Sequence, residues 1–450
     1  MQRQFLGLIW FVEHHQPKQS FAQPRPRPQR AMYIRCMTAT TPGHTVSGDD
    51  LISRIPPIVD LDAHVVEPAH VWSSRLPARF REIGPRIEMR PAGSITLTEG
   101  VYTEAPGTEG PNDVAWWHYE DQLASIKRPI AAVGYSADEI TMTGVNYDLM
   151  RPGCWQPQAR MDDMDINGVE AQLVFPNYPR FCGQIFLRGK DRELALLCVQ
   201  AYNDWMVDEW CGSSGGRLIP LCLVPLWHPT LAADEVRRNA ARGVRAVAFS
   251  EIPAYLGLPS IHTGLWDPFF QACEETKTVV SMHIGSGTKV PITSVDAPDA
   301  VGATIIFGNS VASLTDFLYS GVLHRFPTLK LMYAEAQIGW VPYLLERIDD
   351  VWETHRGWSN SKANCPELPS TYYRRQVTSC FFKDPVGVAL LDRVGVDNVV
   401  FESDYPHQDS TWPHTKRAAA EQFGHLPQEV INKIARNNAI DLLGLSLRKY

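Results

Sequence analysis

The sequence predicts a (β/α)8 barrel with a long insertion after its first strand. Short apolar runs recur eight times from residue 55 onward, each is continuous rather than alternating, and helical patterns separate them. Continuous apolar runs mark parallel strands buried on both faces, and eight of them alternating with helices favour a barrel over an open doubly wound sheet. The runs are IPPIVDLDAH (55–64), AQLVFPN (171–177), LIPLCLVPL (218–226), RAVAFSEIP (245–253), TVVSMHI (278–284), LKLMYAEA (329–336), VTSCFF (377–382) and NVVFESDYP (398–406).

Residues 1–50 come first and differ from the rest, passing from FLGLIWFV through EHHQ to QPRPRPQR. The apolar stretch is short and has no small-x-small cleavage site, so a disordered Pro/Arg-rich extension is expected rather than a signal peptide. The barrel is expected over 51–450. Within it, about 75–160 is rich in Trp, Tyr, Gly and Pro and is expected to form a cap near the mouth, where βα loops gather.

The intervening helices carry their own punctuation. AADEVRRNAARG (232–243) ends at Gly243, and WDPFFQACEETK (266–277) is expected to start with Asp267 as N-cap and Pro268 at the first helical position. Ile338, Val341, Leu344, Leu345, Ile348 and Trp352 fall at helical spacing and form one apolar face. Val430, Ile434, Ile440 and Leu443 do the same ahead of Gly444.

Composition narrows the function classes. A net charge of -8 argues against a general nucleic-acid binder, which needs clustered Lys and Arg, and no apolar run reads as a membrane span. No GxGxxG or P-loop pattern follows a strand, so nucleotide binding has no support either. The nine cysteines include no CxxC pair, which fits a reducing, cytoplasmic setting.

Ionisable residues collect at one end of the strands: Asp62 and His64 on the first, His283 on the fifth, Glu335 on the sixth and Asp404 on the eighth. In a barrel these ends share one mouth, and buried carboxylates with imidazoles suit Zn, Mn or Fe. Asp62 and His64 are two residues apart, so both point to the same side of their strand. The expected cofactor is one divalent ion, with a second possible if Glu67 joins the set. A cap or loop hydrogen bond is the favoured reading for Glu67, and a structural role for Asp60.

VDLDAH, SMHIG, HRFPTLKLMYAEAQIGWVPYLLERID and FESDYPH together resemble the amidohydrolase-related enzymes of the aminocarboxymuconate-semialdehyde decarboxylase branch, over roughly 55–445. The resemblance implies a (β/α)8 barrel with one divalent metal, and a decarboxylase, hydratase or hydrolase activity. It also implies metal ligation by Asp62, His64, His283 and Asp404, with Asp404 as acid/base. Two departures stand out. Asp62 replaces the first histidine of the family's better-known HxH, and Glu335 occupies the sixth-strand place where the family usually has a catalytic histidine. Glu335 is left open between general base, additional ligand and an orienting carboxylate. His228 and His407 are candidates for the missing histidine. Arg347 matches an arginine that binds substrate carboxylate in related decarboxylases, sometimes across a dimer interface; Asp409, Arg180 and Arg375 are weaker candidates.

The expectation is therefore a metal-dependent enzyme on a small carboxylate-bearing substrate, acting as a homodimer or other oligomer without nucleic acid or membrane. Hydrolysis is placed slightly ahead of non-oxidative decarboxylation, because the decarboxylases use the absent histidine. A diiron oxygenase and a non-catalytic partner subunit are the alternatives.

Overall fold

In the computed structural model, residues 48–108 and 113–450 are described. The expected N-terminal extension lies outside them except for residues 48–50, which open the helix Gly48–Ser53. The strands are β1 (Ile58–Val65), five in the insertion (β2 Arg86–Pro91, β3 Ser94–Thr98, β4 Val101–Ala105, β5 Asp113–Tyr119, β6 Gln122–Ser125), and then seven more. These are β7 (Val169–Pro176), β8 (Leu218–Cys222), β9 (Ala246–Phe249), β10 (Val279–His283), β11 (Leu331–Ala334), β12 (Val377–Phe381) and β13 (Val399–Phe401).

Each of the eight apolar runs becomes one strand of a single sheet, in the order β1-β7-β8-β9-β10-β11-β12-β13. All its pairings are parallel. The edges meet where Asp404 N–H donates to the Asp62 carbonyl (2.9 Å) and His64 N–H to the Tyr405 carbonyl (2.6 Å), so the sheet curls into a nearly closed barrel. Strands β1, β9, β10, β11, β12 and β13 are buried along their whole length, which is why they lack the alternation of a half-exposed strand.

Helix positions follow the sequence pattern with local shifts. Trp266, not Asp267, caps the helix Asp267–Thr276, and the Asp267 carboxylate instead takes two hydrogen bonds from Arg325 (2.8 and 3.1 Å). The helix Val341–Thr354 buries Val341, Leu345, Ile348 and Trp352, while Ile338 precedes it and is held by the Asp384 carboxylate (2.7 Å). The C-terminal helix is interrupted by a π-helical turn, Lys433–Asn437, and stops at Gly444 in the left-handed region (φ 62).

One stretch corrects the sequence reading on membranes: Asp299–Tyr319 is long and apolar enough to cross one by length and composition, with a mean hydropathy of 1.3. It is divided into helices Asp299–Ile305 and Gly308–Tyr319, whose Leu314, Phe317 and Leu318 enter the core. Its Ser313 hydroxyl donates to the Glu251 carbonyl (2.5 Å), as expected of a helix packed on a barrel.

The insertion builds an antiparallel sheet, β2-β5-β6, and a hairpin, β3-β4. It is tied to the loops that follow the barrel strands. Ala132 N–H donates to the Pro406 carbonyl (2.8 Å), Gln408 N–H to the Pro129 carbonyl (2.9 Å), and Val290 N–H to the Gly100 carbonyl (2.8 Å). Gly100 sits at φ +79, and a Cβ there would fall 2.3 Å from the Val290 oxygen, so this contact requires glycine. The eight cysteines among the described residues are all buried and free.

Candidate metal centre

Six ionisable side chains converge where the barrel seam meets the ends of β10 and β11. Asp62 and His64 come from β1, beside a register shift between Asp60 and Ala63 that marks a bulge in the ladder with β7. His283 is the last residue of β10. Glu335 and Asp404 stand just beyond β11 and β13 with left-handed backbones (φ 57 and 50), and His407 comes three residues later.

The donor atoms face one another. His64 Nε2 lies 3.3 Å from both Asp62 Oδ1 and Asp404 Oδ1. His283 Nε2 is 3.5 Å from Asp62 Oδ2, 3.4 Å from Glu335 Oε2 and 3.1 Å from His64 Nε2. Ligand atoms held at about 2.1 Å from one ion at tetrahedral or octahedral angles are about 3.0–3.4 Å apart, so the spacing is that of a coordination shell. Both carboxylate oxygens of Asp62 and of Asp404 are buried and accept no hydrogen bond from the described residues. Such orphaned carboxylates are costly unless a cation answers them.

Second contacts orient the ligands. His283 Nδ1–H donates to the Ile284 carbonyl (2.7 Å), which leaves the Nε2 lone pair turned into the cluster. The Phe181 ring stacks on His283 at 4.0 Å. His407 stacks on His64 (centroids 3.6 Å), bonds Asn177 Oδ1 through Nε2 (2.9 Å) and brings Nδ1 to 3.0 Å from Asp404 Oδ1.

Electrostatics agree with a site short of positive charge. Burial acts to lower His283, but the facing Asp62 and Glu335 carboxylates carry it up to about 9. Burial lowers His64 to about 4. Asp404 is pushed well above the carboxylate range by burial and by the Glu335 and Asp62 charges, while burial holds His407 well below the usual imidazole range. Glu335 rises to about 8 through burial, with Asp62 repulsion adding to it. Its side chain, 17% exposed, is the most open of the six.

Three residues that sequence reasoning missed complete the surroundings. Glu402, buried beside Asp62, accepts the Glu335 N–H (3.2 Å) and braces that left-handed turn. Glu251 accepts from Gly285 N–H (3.0 Å), Gly287 N–H (3.3 Å) and the Ser310 hydroxyl (3.2 Å), which shapes the loop after His283. Asn177 carries His407. All three had a signal in the sequence, since Asn177, Glu251 and Glu402 lie toward the C-terminal ends of the runs AQLVFPN, RAVAFSEIP and NVVFESDYP.

Several expected residues are placed elsewhere. His228 is exposed and caps the helix Pro229–Ala240, its Nδ1 accepting the Leu231 N–H at 3.3 Å, so it does not join the cluster. Arg347 is exposed and pairs with Asp350 one turn along its helix (2.5 Å). Arg375 pairs with Glu367 (3.3 Å), and Asp409 lies in an exposed part of the loop after His407. Glu67 accepts the Asn177 and Tyr178 N–H groups (2.9 and 2.8 Å), which uses its carboxylate for the loop after β7 rather than a second ion. Asp60 accepts from Asp62 N–H (3.0 Å), Gln172 Nε2 (3.0 Å), Ser403 N–H (3.1 Å) and the Ser403 hydroxyl, and so ties β1 to β7 and to the end of β13.

Comparisons with known proteins agree with this architecture. A family model described as amidohydrolase matches residues 59–445. The chain resembles the crystal structure of an amidohydrolase from Mycobacterium avium subsp. paratuberculosis K-10, with 20% identity, a TM-score of 0.63, and coverage of 86% of this chain and 99% of that one. It also resembles 2,6-dihydroxybenzoate decarboxylase from Rhizobium, at 15% identity and a TM-score of 0.54 over 87% of this chain and 99% of that one. A third is 5-carboxyvanillate decarboxylase from Novosphingobium aromaticivorans, solved with bound manganese, at 19% identity and a TM-score of 0.52 over 64% and 80% of the two chains. The chain belongs to the amidohydrolase family and is accordingly an enzyme.

Proposed function

We propose that this enzyme removes the carboxyl group of a small aromatic or cyclic carboxylate without oxidation, using a divalent ion held by Asp62, His64, His283 and Asp404. The observation that carries the reading is the His407 imidazole, stacked on His64 with Nδ1 3.0 Å from Asp404 Oδ1. The sequence alone favours hydrolysis because the sixth-strand histidine is missing; an imidazole against Asp404 removes that objection. The ion, when bound, supplies Lewis-acid polarisation of a substrate oxygen.

The chain's own residues do the rest. Asp404 holds a proton beside His407 Nδ1 and delivers it to the ring carbon as the carbon–carboxyl bond breaks, releasing CO2. His407, fixed through Nε2 by Asn177, accepts at Nδ1 and so orients the protonated Asp404, and a proton from solvent restores Asp404 after CO2 leaves. Phe181 and Phe175 pack against the two histidines and exclude water from one side of the cluster. Solved relatives of similar fold include decarboxylases of hydroxylated benzoates, one with bound manganese, which supports this substrate class.

A second reading rests on the number of donors. The six side chains form three overlapping triads, more than one ion with an open position takes. Two irons and an oxygenase reaction would use Glu335 and His407 as further ligands. One experiment separates the readings: metal-loaded protein is offered hydroxybenzoates in deuterated water, and carbon dioxide, ring deuteration, oxygen uptake and metal content are monitored. One ion per chain, CO2 release and one deuterium at the vacated carbon are expected. Oxygen uptake with two irons, or solvent oxygen in the product without CO2, overturns the proposal.

A further inference from the structure

A second cavity lies beside the loop that carries His283, apart from the six-residue cluster. It is an open cavity of about 480 Å³ whose walls include Trp227, Tyr255, the buried Gln184 and the exposed Arg188, Arg192 and Lys289. None of the metal-cluster residues lines it. Its floor is joined to the metal loop, because Gln184 Nε2 donates to the Ser286 carbonyl (3.0 Å) and Ser286 N–H to the His283 carbonyl (3.0 Å).

The wall gathers three cations with no acid among them. Several surface cations elsewhere meet acids, as Arg75 does with Glu209, Arg238 and Arg242 with Asp204, and Arg325 with Asp267. Among the described residues, Arg188, Arg192 and Lys289 form no ion pair, and no acid lines the cavity. Two of them ride on aromatic rings instead, Arg192 over Trp227 and Lys289 over Tyr255, each at 5.1 Å. A ring face orients a cation without neutralising its charge. Three like charges on one concave wall of a protein with net charge -8 repel one another, and a bound anion relieves that repulsion.

We propose that this cavity is a binding site for a small dianion, carried by a dicarboxylate or a phosphate ester. The volume falls within the range of small-molecule pockets. The hairpin β3-β4 forms one edge, so the insertion helps to enclose the site.

The test uses the full chain treated with EDTA, so that coordination at the metal cluster does not contribute. Benzene-1,3-dicarboxylate and inorganic pyrophosphate are titrated by calorimetry at low and high salt, with uncharged 1,3-benzenedimethanol as the isostere. At least one anion is expected to bind with submillimolar affinity, several-fold more weakly in high salt, and the one that binds more tightly identifies the carboxylate or phosphate source. The double variant Arg188→Ala/Lys289→Ala is expected to bind at least tenfold more weakly with an unchanged melting temperature. Should that variant fold poorly, Lys289→Glu, at an exposed position, tests the same charge. Binding that survives these substitutions, equal binding of the neutral isostere, or no binding of either anion overturns the proposal.

Discussion

Two sets of buried carboxylates sit within a few residues of each other at the barrel mouth. Asp60, Glu67 and Glu251 each accept at least two hydrogen bonds from N–H or O–H groups and tie strands and loops together. Asp62 and Asp404 are equally buried, yet their oxygens face imidazoles and one another without a single hydrogen bond from the described residues. Burial therefore does not mark the functional acids; unmet hydrogen-bonding capacity does. The first set stabilises the fold directly, whereas the second is paid for elsewhere in the structure until a cation arrives.

Exchanging one acid from each set should break this contrast in opposite ways. Asp404→Asn, the largest expected effect, lowers kcat by about 10³-fold through loss of the proton carrier, while the metal-free melting temperature stays the same or rises. A melting temperature that drops sharply would place Asp404 among the structural acids. Next, a divalent ion at a thousandfold excess over its Kd stabilises the native chain by about 4 kcal/mol. Thermal melts should show this shift vanish in His283→Ala and Asp62→Asn but persist in Asp60→Asn.

Smaller effects test the saturated set. Glu67→Ala leaves the Asn177 and Tyr178 N–H groups without their acceptor, and urea titration should show a loss of about 2 kcal/mol. Below about 0.5 kcal/mol, the bracing role would be refuted. The weakest signal is in pH. Burial lifts Glu67 to about 7 from 4.5, so the folded chain holds a proton that the unfolded chain has released between those values. Its contribution is complete below pH 4.5 and is lost as pH rises to 7. Glu67→Gln should flatten the stability profile over that interval, as measured by denaturant titration at several pH values.

The barrel was legible because its strands are buried on both faces and leave continuous apolar runs that need no partner information. The strands of the insertion were not: β3, SITLT between Gly93 and Gly100, is a short polar–apolar alternation of exposed and half-buried residues, unlike the continuous apolar runs of the barrel. Asp62, His64, His283, Glu335 and Asp404 could be grouped from sequence since barrel geometry forces strand ends together. The choice between His228 and His407 turns on the local backbone beyond each histidine, which sequence does not fix. His228 precedes Pro229, the first residue of a helix, and is used up as its cap; His407 precedes an irregular loop and turns back onto His64. Asn177, Glu251 and Glu402 act on loop backbone and on His407 beyond the strands, and those partners are set by loop conformation, which leaves no periodicity to detect.

Glu335 and Asp404 share one further property, their left-handed backbone (φ 57 and 50). Residues with a Cβ resist this region by about 1–2 kcal/mol, least so Asn and Asp, while Gly, which has none, enters it freely. The choice of replacement at these two positions thus decides what a mutagenesis experiment reports. A valine or isoleucine scan would mix backbone distortion with lost chemistry, and an inactive variant would be uninformative. Asparagine at 404 keeps both shape and dihedral preference, so a null phenotype there speaks for the carboxylate alone. The same preference narrows natural drift: of Asn, Asp and Gly, which enter this turn most readily, only aspartate also brings a charge.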